Sequence, residues 1–282
     1  MTEIIKRAFL VGINYRGSEY ELGGCINDVI MMKEVLINHY NYKEENILLL
    51  SDDTENKPTR ENILYGWEWL LSNTKVEDFK KNYEKMREGE RGNYVFHYSG
   101  HGSQVKDTSG DEEDGEDETI CPIDFKKEGM IIDDDIREKL AIRVPENSQL
   151  ISIIDACHSE SSFDLLWTAK STILNKIMAK IFGRKIRFEL VKEGKYDQTM
   201  GDVIVLSGCK DKETSADIKI NGKGNGALTY ALIQVLQDAN YNIKCDELLI
   251  NIRKYIKKNK LSNQLPCLSF GKSIDISHDF IL

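Results

Sequence analysis

Apolar residues cluster in short groups along all 282 residues, and the spacing inside the groups switches between two periods. Arg7 to Ile13, with Ala8-Phe9-Leu10-Val11-Gly12-Ile13 inside it, reads as a buried strand, and Asn14 to Gly24 as a loop carrying three glycines. Val29, Met32, Leu36 and Ile37 then recur at helical spacing across Ile26 to Tyr40, and Ile47 to Leu50 returns to a strand pattern. A strand, helix and strand joined this way predict a right-handed parallel unit. Arg60 to Leu71 is a second predicted helix, with Thr59 as its cap after Pro58. Val76 to Arg87 is a more polar helical stretch, and Glu88 to Asn93 turns into the next strand.

Two segments rich in β-branched and aromatic residues follow, Tyr94-Val95-Phe96-His97-Tyr98 and Leu150-Ile151-Ser152-Ile153-Ile154. Beyond them Phe163 to Phe182 places Leu166, Ala169, Ile173, Ile177 and Ile181 on one predicted helix face. Asp202 to Ser207 is a further strand, Gly208 to Asp217 a polar loop, Asn225 to Leu236 and Cys245 to Ile256 helices, and Cys267 to Phe270 a last strand. Together these elements predict an α/β fold, a three-layer sandwich of a mainly parallel central sheet with helices on both faces. No low-complexity linker interrupts them, so the expectation is one domain over 1–282. It divides into about 1–164, a basic linker over about 165–200, and about 201–282.

Each of the two apolar segments runs into a reactive side chain. The first passes through Ser99-Gly100 to His101-Gly102, the second through Asp155-Ala156 to Cys157-His158-Ser159. Loops at the carboxyl ends of adjacent parallel strands face one crevice, which would bring His101 and Cys157 together as a cysteine nucleophile and its base. His158 is the weaker base, because neighbours in an extended segment point to opposite sides, and His97 is expected to pack in or beside the sheet.

Charge narrows the partners. The net charge is −9, so the basic footprint of nucleic-acid binding is missing and a cationic substrate or a metal ion is the better match. The first apolar run is too short for a signal peptide or membrane span, which predicts a cytoplasmic protein. Six cysteines lie far apart without zinc-ligand spacing, so most read as buried free thiols. The acidic residues concentrate between Asp107 and Glu118; such a run is ordinarily a solvated loop, yet a hard cation such as calcium would relieve its repulsion. Asp133-Asp134-Asp135 opens the next predicted helix and is read equally as helix-dipole pairing or metal ligation. Leu165 to Met200 is the opposite case, a basic island with eight Lys or Arg against three Asp or Glu. An ordinary helix followed by an exposed linker is expected there, a membrane-surface or calmodulin-like helix being the alternative.

The ordered motifs His97-Tyr98-Ser99-Gly100-His101-Gly102-Ser103-Gln104 and Asp155-Ala156-Cys157-His158-Ser159 resemble the histidine and cysteine signatures of metacaspases, caspase-like cysteine peptidases. Further matches run along the chain: Gly12-Ile13-Asn14-Tyr15, Leu22 to Val29, Asp117-Glu118-Thr119-Ile120 with Pro122 and Asp124-Phe125, Ser207-Gly208-Cys209, Thr214 to Asp217, and Gln264 to Ser269. The resemblance is to a type I-like member without a long Pro/Gln-rich amino-terminal region. It implies a caspase-like fold and a calcium-dependent endopeptidase, acting as a monomer, that cleaves proteins after arginine or lysine. His101 and Cys157 match the dyad; Cys25, Asp28, Ser99 and Asp155 match the pocket for the basic residue; Asp117, Asp133, Asp134 and Asp164 match calcium ligands.

Chemistry adds to the resemblance. Backbone N–H groups of Gly102 and Cys157 suit an oxyanion, and paired carboxylates at Asp28 and Asp155 suit guanidinium or ammonium. Asp28 also reads as a cap or turn residue near its helix. An enzyme with such a pocket would find candidate self-cleavage points at Lys180, Arg184, Lys185, Arg187, Lys192 and Lys195. A calcium-independent paracaspase-like peptidase, a catalytically silent scaffold or proteostasis factor, and a calcium sensor are the competing readings.

Overall fold

The computed structural model describes residues 4–72, 76, 91–107, 115–156, 163–171, 186–193, 195–208, 217–220 and 223–282. Strand β1 (Ile5–Gly12) leads through a loop to helix α1 (Cys25–Tyr40), which returns to β2 (Ile47–Ser51), parallel to β1. Helix α2 (Arg60–Leu71) begins where Thr59 Oγ1 accepts a hydrogen bond from the Asn62 amide at 3.2 Å, the cap expected from the sequence. Strand β3 (Gly92–Ser99) then pairs parallel with β1 on the side away from β2.

A small antiparallel sheet follows, built from β4 (Gly102–Lys106), β5 (Glu116–Ile120) and, after the short helix α3 (Phe125–Glu128), β6 (Ile131–Ile132). Helix α4 (Asp133–Lys139) opens on the acidic triplet, and β7 (Gln149–Asp155) lies parallel beside β3. Next come β8 (Trp167–Lys170), β9 (Glu189–Lys192), β10 (Asp202–Ser207), the hairpin β11 (Asp217–Ile220) with β12 (Lys223–Gly226), α5 (Ala227–Asp238), α6 (Cys245–Asn259) and β13 (Cys267–Phe270).

The main sheet runs β2-β1-β3-β7-β10-β13-β8-β9. Its first five strands are mutually parallel, and β13, β8 and β9 pair antiparallel. Alternation along the strands sends side chains to two separate cores. Ala8, Leu10, Val95, Ile151, Ile153, Ile204 and Leu206 pack under α1, α5 and α6, while Phe9, Val11, Phe96, Leu150, Ile154, Val203 and Val205 pack under α2 and α4. Two covered faces make the three layers and explain why the central strands read as continuous apolar runs. The α2 layer sits close because residue 66 is glycine: a Cβ there would lie 2.1 Å from Phe9 Cζ.

The helix expected over Phe163 to Phe182 is corrected. Trp167 to Lys170 form β8, with Thr168 opposite Ser269 and Val191. Apolar spacing over four residues does not distinguish a helix from a strand, and the ladder to β13 decides it. The segment Leu165 to Met200, read as helix and exposed linker, thus supplies two strands to the sheet edge. The acidic run also ends differently, since Glu116 to Glu118 belong to β5 and Asp117 and Glu118 are buried. The helical stretch expected at 77–87, the acidic residues 108–114, residues 172–185 and the loop residues 209–216 lie outside the described residues.

Candidate active site

Register places the two reactive loops. Ser99 stands opposite Asp155 at the ends of β3 and β7, and the Gly100 amide donates to the Asp155 carbonyl at 3.3 Å. His101 follows two residues beyond Ser99 at this edge of the sheet, and in the sequence Cys157 follows two residues beyond Asp155. Cys157 itself lies outside the described residues; the last described residue before it, Ala156, is buried.

His101 is held from both ends by the loop that follows β1. Its amide donates to Tyr15 Oη at 3.0 Å, and its Nε2 lies 2.8 Å from the Tyr20 carbonyl. A carbonyl only accepts, so Nε2 carries a proton, and in the neutral ring Nδ1 is the nitrogen with the lone pair. Tyr98 Oη reaches the His101 carbonyl at 2.7 Å, and the Tyr15 and Tyr98 hydroxyls lie 3.1 Å apart. Burial pushes both phenols well above their ordinary range, so both stay neutral around the histidine. Tyr15 also has φ of 50°, a left-handed backbone at the turn that delivers its ring to within 4.8 Å of the imidazole. Gly102, expected among the oxyanion donors, opens β4 directly after the histidine.

The expected pocket residues gather beside this edge. Asp28, in the first turn of α1, is 0% exposed; its Oδ2 accepts from Ser99 Oγ at 2.7 Å, and both its oxygens lie 2.9 Å from the Gly226 amide. Asp155, 5% exposed, accepts from the Thr229 amide at 2.7 Å, so it caps the first turn of α5. The two carboxylates converge on residue 226, where a Cβ would lie 2.2 Å from Asp155 Oδ2 and 2.6 Å from Asp28 Oδ2. Cys25, the first residue of α1, is buried behind them.

Gly226 and Thr229 were not among the sequence candidates, nor were Tyr15 and Tyr20 as holders of His101. The dipeptide Asn221-Gly222 is a hairpin signal that marks β11 and β12. Nothing in a tyrosine's own sequence context announces a carbonyl acceptor.

His97 packs in the sheet as expected. Its Nε2 lies 3.0 Å from Thr229 Oγ1, and burial drives its pKa down to about 3, which keeps it neutral and outside acid–base work. Burial likewise pushes the Cys121 and Cys245 thiols up to about 12, leaving them inert.

The four expected calcium ligands fall around α4. Asp133 is 1% exposed and accepts from the Glu118 amide at 2.8 Å and the Asp134 amide at 3.0 Å. Burial first, and the Glu118 charge after it, raise its pKa to about 8. Asp134 accepts from Tyr196 Oη at 3.2 Å, and the Asp164 carbonyl accepts from Arg137 Nη1 at 3.0 Å. Asp117 and Asp164 are buried as well. Carboxylate oxygens are the donor chemistry of a hard cation. Among the described residues, however, no three acidic or cysteine and histidine ligands converge on one point.

Of the candidate cleavage points, Lys180, Arg184 and Lys185 lie outside the described residues. Arg187 and Lys195 are exposed and outside strands, while Lys192 is exposed within β9 opposite Trp167.

The family described as metacaspase, peptidase C14 domain, matches residues 6–166. Metacaspase-1 of Schizosaccharomyces pombe is 36% identical, covering 98% of this chain and 70% of the relative. Metacaspase-1 of Scheffersomyces stipitis is 33% identical, covering 98% and 73%. Among solved structures, caspase-1 from Spodoptera frugiperda shares the fold at TM-score 0.52 and 11% identity, covering 94% of this chain and 85% of that one. A protein from Geobacter sulfurreducens does so at TM-score 0.60 and 21% identity, covering 96% and 94%. With the caspase-like sheet and the whole-length relatives in agreement, the chain belongs to the metacaspases and is a cysteine-type endopeptidase.

Proposed function

We propose that this metacaspase cleaves proteins after arginine or lysine through Cys157 and His101, that calcium activates it, and that it processes itself in its basic segment. The observation that carries the specificity is the convergence of Asp28 and Asp155 on Gly226 at the strand edge that ends in the His101 loop. Paired carboxylates suit a guanidinium fork or an ammonium.

In this reading His101 Nδ1 takes the thiol proton of Cys157, and the thiolate attacks the scissile carbonyl carbon. The Gly102 and Cys157 amides donate to the oxyanion. Nδ1 then protonates the leaving amine, and water hydrolyses the acyl-enzyme. Asp117, Asp133, Asp134 and Asp164 would hold calcium, which would supply positive charge beside the Asp133 carboxylate that burial otherwise disfavours.

Arg187 and Lys195 are the better-presented self-cleavage points, being exposed and outside the β8–β9 ladder. A monomer is supported by the edge strand β9, four residues long and carrying the exposed charges Glu189 and Lys192. A cytoplasmic setting is supported by the buried free thiols of Cys121 and Cys245. Among the described residues no helix is long and apolar enough to cross a membrane.

The test is hydrolysis of paired fluorogenic peptides, one ending in arginine and one in aspartate, by wild type and Cys157→Ala, in calcium and in chelator. Calcium-dependent release from the arginine peptide alone, lost in the variant, is expected. Equal release from both peptides, or release by Cys157→Ala, sinks the reading.

A further inference from the structure

Pro122 to Phe125 matches the family pattern, and the mechanism above gives it no role. Its residues lead in two directions. Asp124 Oδ1 accepts from the Arg60 amide at 2.8 Å and the Ile123 amide donates to the Pro58 carbonyl at 2.9 Å, so the stretch is moored to the start of α2. Phe125, the first residue of α3, turns instead toward the loop after β1. Its ring meets Tyr20 at 5.4 Å between centroids and Tyr15 at 6.4 Å, with interplanar angles of 78° and 86°. These are edge-to-face contacts, the attractive arrangement for aromatic quadrupoles.

Tyr15 and Tyr20 are the two residues that grip His101, one through its amide and one through Nε2. Tyr20 sits on the outer part of its loop, 36% exposed, where its amide donates to the hydroxyl of Ser18 at 3.1 Å. Its carbonyl therefore needs a brace from another element to stay against the imidazole. Lys126 adds a cation over the Tyr20 ring at 4.5 Å and pairs with Glu19 at 2.5 Å, but that pair is largely exposed and water screens it. The half-buried Phe125 ring meets Tyr20 through apolar contact, which ionic screening does not weaken.

We propose that Phe125 is a positioning residue for catalysis: through Tyr20 and Tyr15 it keeps His101 in the tautomer with the proton on Nε2 and the lone pair on Nδ1. The proposal rests on the reading of His101 as the catalytic base. Asp124 and Phe125 then form one device, an anchor in α2 and a brace on the histidine loop. When the brace is removed, the Tyr20 carbonyl loses its fixed place and the neutral ring populates both tautomers.

The direct measurement is the nitrogen chemical shifts and long-range proton couplings of ¹⁵N-labelled His101 at alkaline pH in Cys157→Ala protein, with and without Phe125→Ala. His101→Gln spectra assign the signals. A single Nε2–H tautomer is expected with Phe125 and a mixture without it. In protein with Cys157 intact, Phe125→Ala lowers kcat on the order of tenfold with KM unchanged, the size of a modest loss of alignment. Phe125→Trp, which restores an aromatic edge, recovers most of it. An unchanged tautomer in Phe125→Ala overturns the proposal whatever happens to the rate. Should that variant not fold, Phe125→Leu keeps the apolar volume and is read by the same spectra. Failure of the underlying reading shows separately, as hydrolysis that survives His101→Ala.

Discussion

Ser99 Oγ donates a hydrogen bond to Asp28 Oδ2 at 2.7 Å, tying the end of β3 to the first turn of α1. Both residues are essentially without exposed surface. Removing the donor from a buried carboxylate leaves acceptor capacity that water cannot fill, which costs about 1–3 kcal/mol. Ser99→Ala is therefore expected to lower the denaturant midpoint and to raise KM for arginine peptides. Ser99→Thr, which retains a hydroxyl, is expected to sit between. Urea titration and initial-rate kinetics check both, and an unchanged midpoint in Ser99→Ala would falsify the claim that this bond holds the pocket.

Gly226 has φ of −73°, which any residue adopts, so alanine there carries no conformational penalty. The penalty is contact, with Asp155 Oδ2 at 2.2 Å and Asp28 Oδ2 at 2.6 Å from the added carbon. Something must move, and both neighbours are the carboxylates assigned to the substrate cation. Gly226→Ala is expected to destabilise by about 1–3 kcal/mol, as overpacking does, and to lower kcat/KM for arginine and lysine peptides together. Thermal melting and steady-state kinetics measure the two effects. A variant that melts lower but cleaves normally would show that residue 226 packs without shaping the pocket.

The central fold was legible because its strands are buried on both faces. Asp202 to Ser207 and Cys267 to Phe270 read as strands with their observed bounds, and Thr59 with Arg60 to Leu71 gave a helix with its cap. What the sequence hid depends on partners distant along the chain. Trp167 to Lys170 form a strand because β13 and β9 flank them, while the apolar spacing of the longer stretch from Leu166 to Ile181 suits a helix. Glu116 to Ile120 carry three acids that disfavour a strand in isolation, yet the ladders to β4 and β6 fix them as β5. The same holds at the site. The segment endings at Ser99 and Asp155 located the His101 loop, but the Tyr20 carbonyl and the Gly226 amide are backbone groups, and backbone groups leave no residue signature.

Asp133, one of the expected calcium ligands, has its pKa raised to about 8 by burial and then by Glu118. A cation that binds only the folded state raises stability with the logarithm of its concentration above the dissociation constant. Wild-type protein is expected to melt higher in millimolar calcium than in chelator, by several degrees if calcium stands about 100-fold above its dissociation constant. Asp133→Asn removes a charged ligand, and the calcium increment is expected to shrink or vanish. Differential scanning calorimetry of Cys157→Ala protein reads this without self-cleavage. An increment equal in the variant removes Asp133 from the calcium site.

His97 sets a pH dependence that is separate from catalysis. Its ring is fully buried, Nε2 meets Thr229 Oγ1 at 3.0 Å, and Nδ1 has no hydrogen-bond partner among the described residues. Burial lowers its pKa to about 3, against 6.5 for an ordinary histidine. Between those values the unfolded chain binds a proton that the folded chain does not, so stability rises with pH across the window. Read downward, the stability is whole above about pH 6.5, falls by up to about 1.4 kcal/mol per unit, and levels off below about 3. Carboxylates titrate in the same window, so the comparison needs His97→Gln, which has no titrating ring. From pH 7 to pH 5 the parent is expected to lose about 2 kcal/mol more than the variant, whatever constant offset the lost Thr229 contact adds. Urea titrations of both proteins in a Cys157→Ala background, at the two pH values and in chelator, give that difference. Parallel loss in the two proteins would mean that the buried ring accepts a proton when folded, through water reaching Nδ1 or a carboxylate turning toward it.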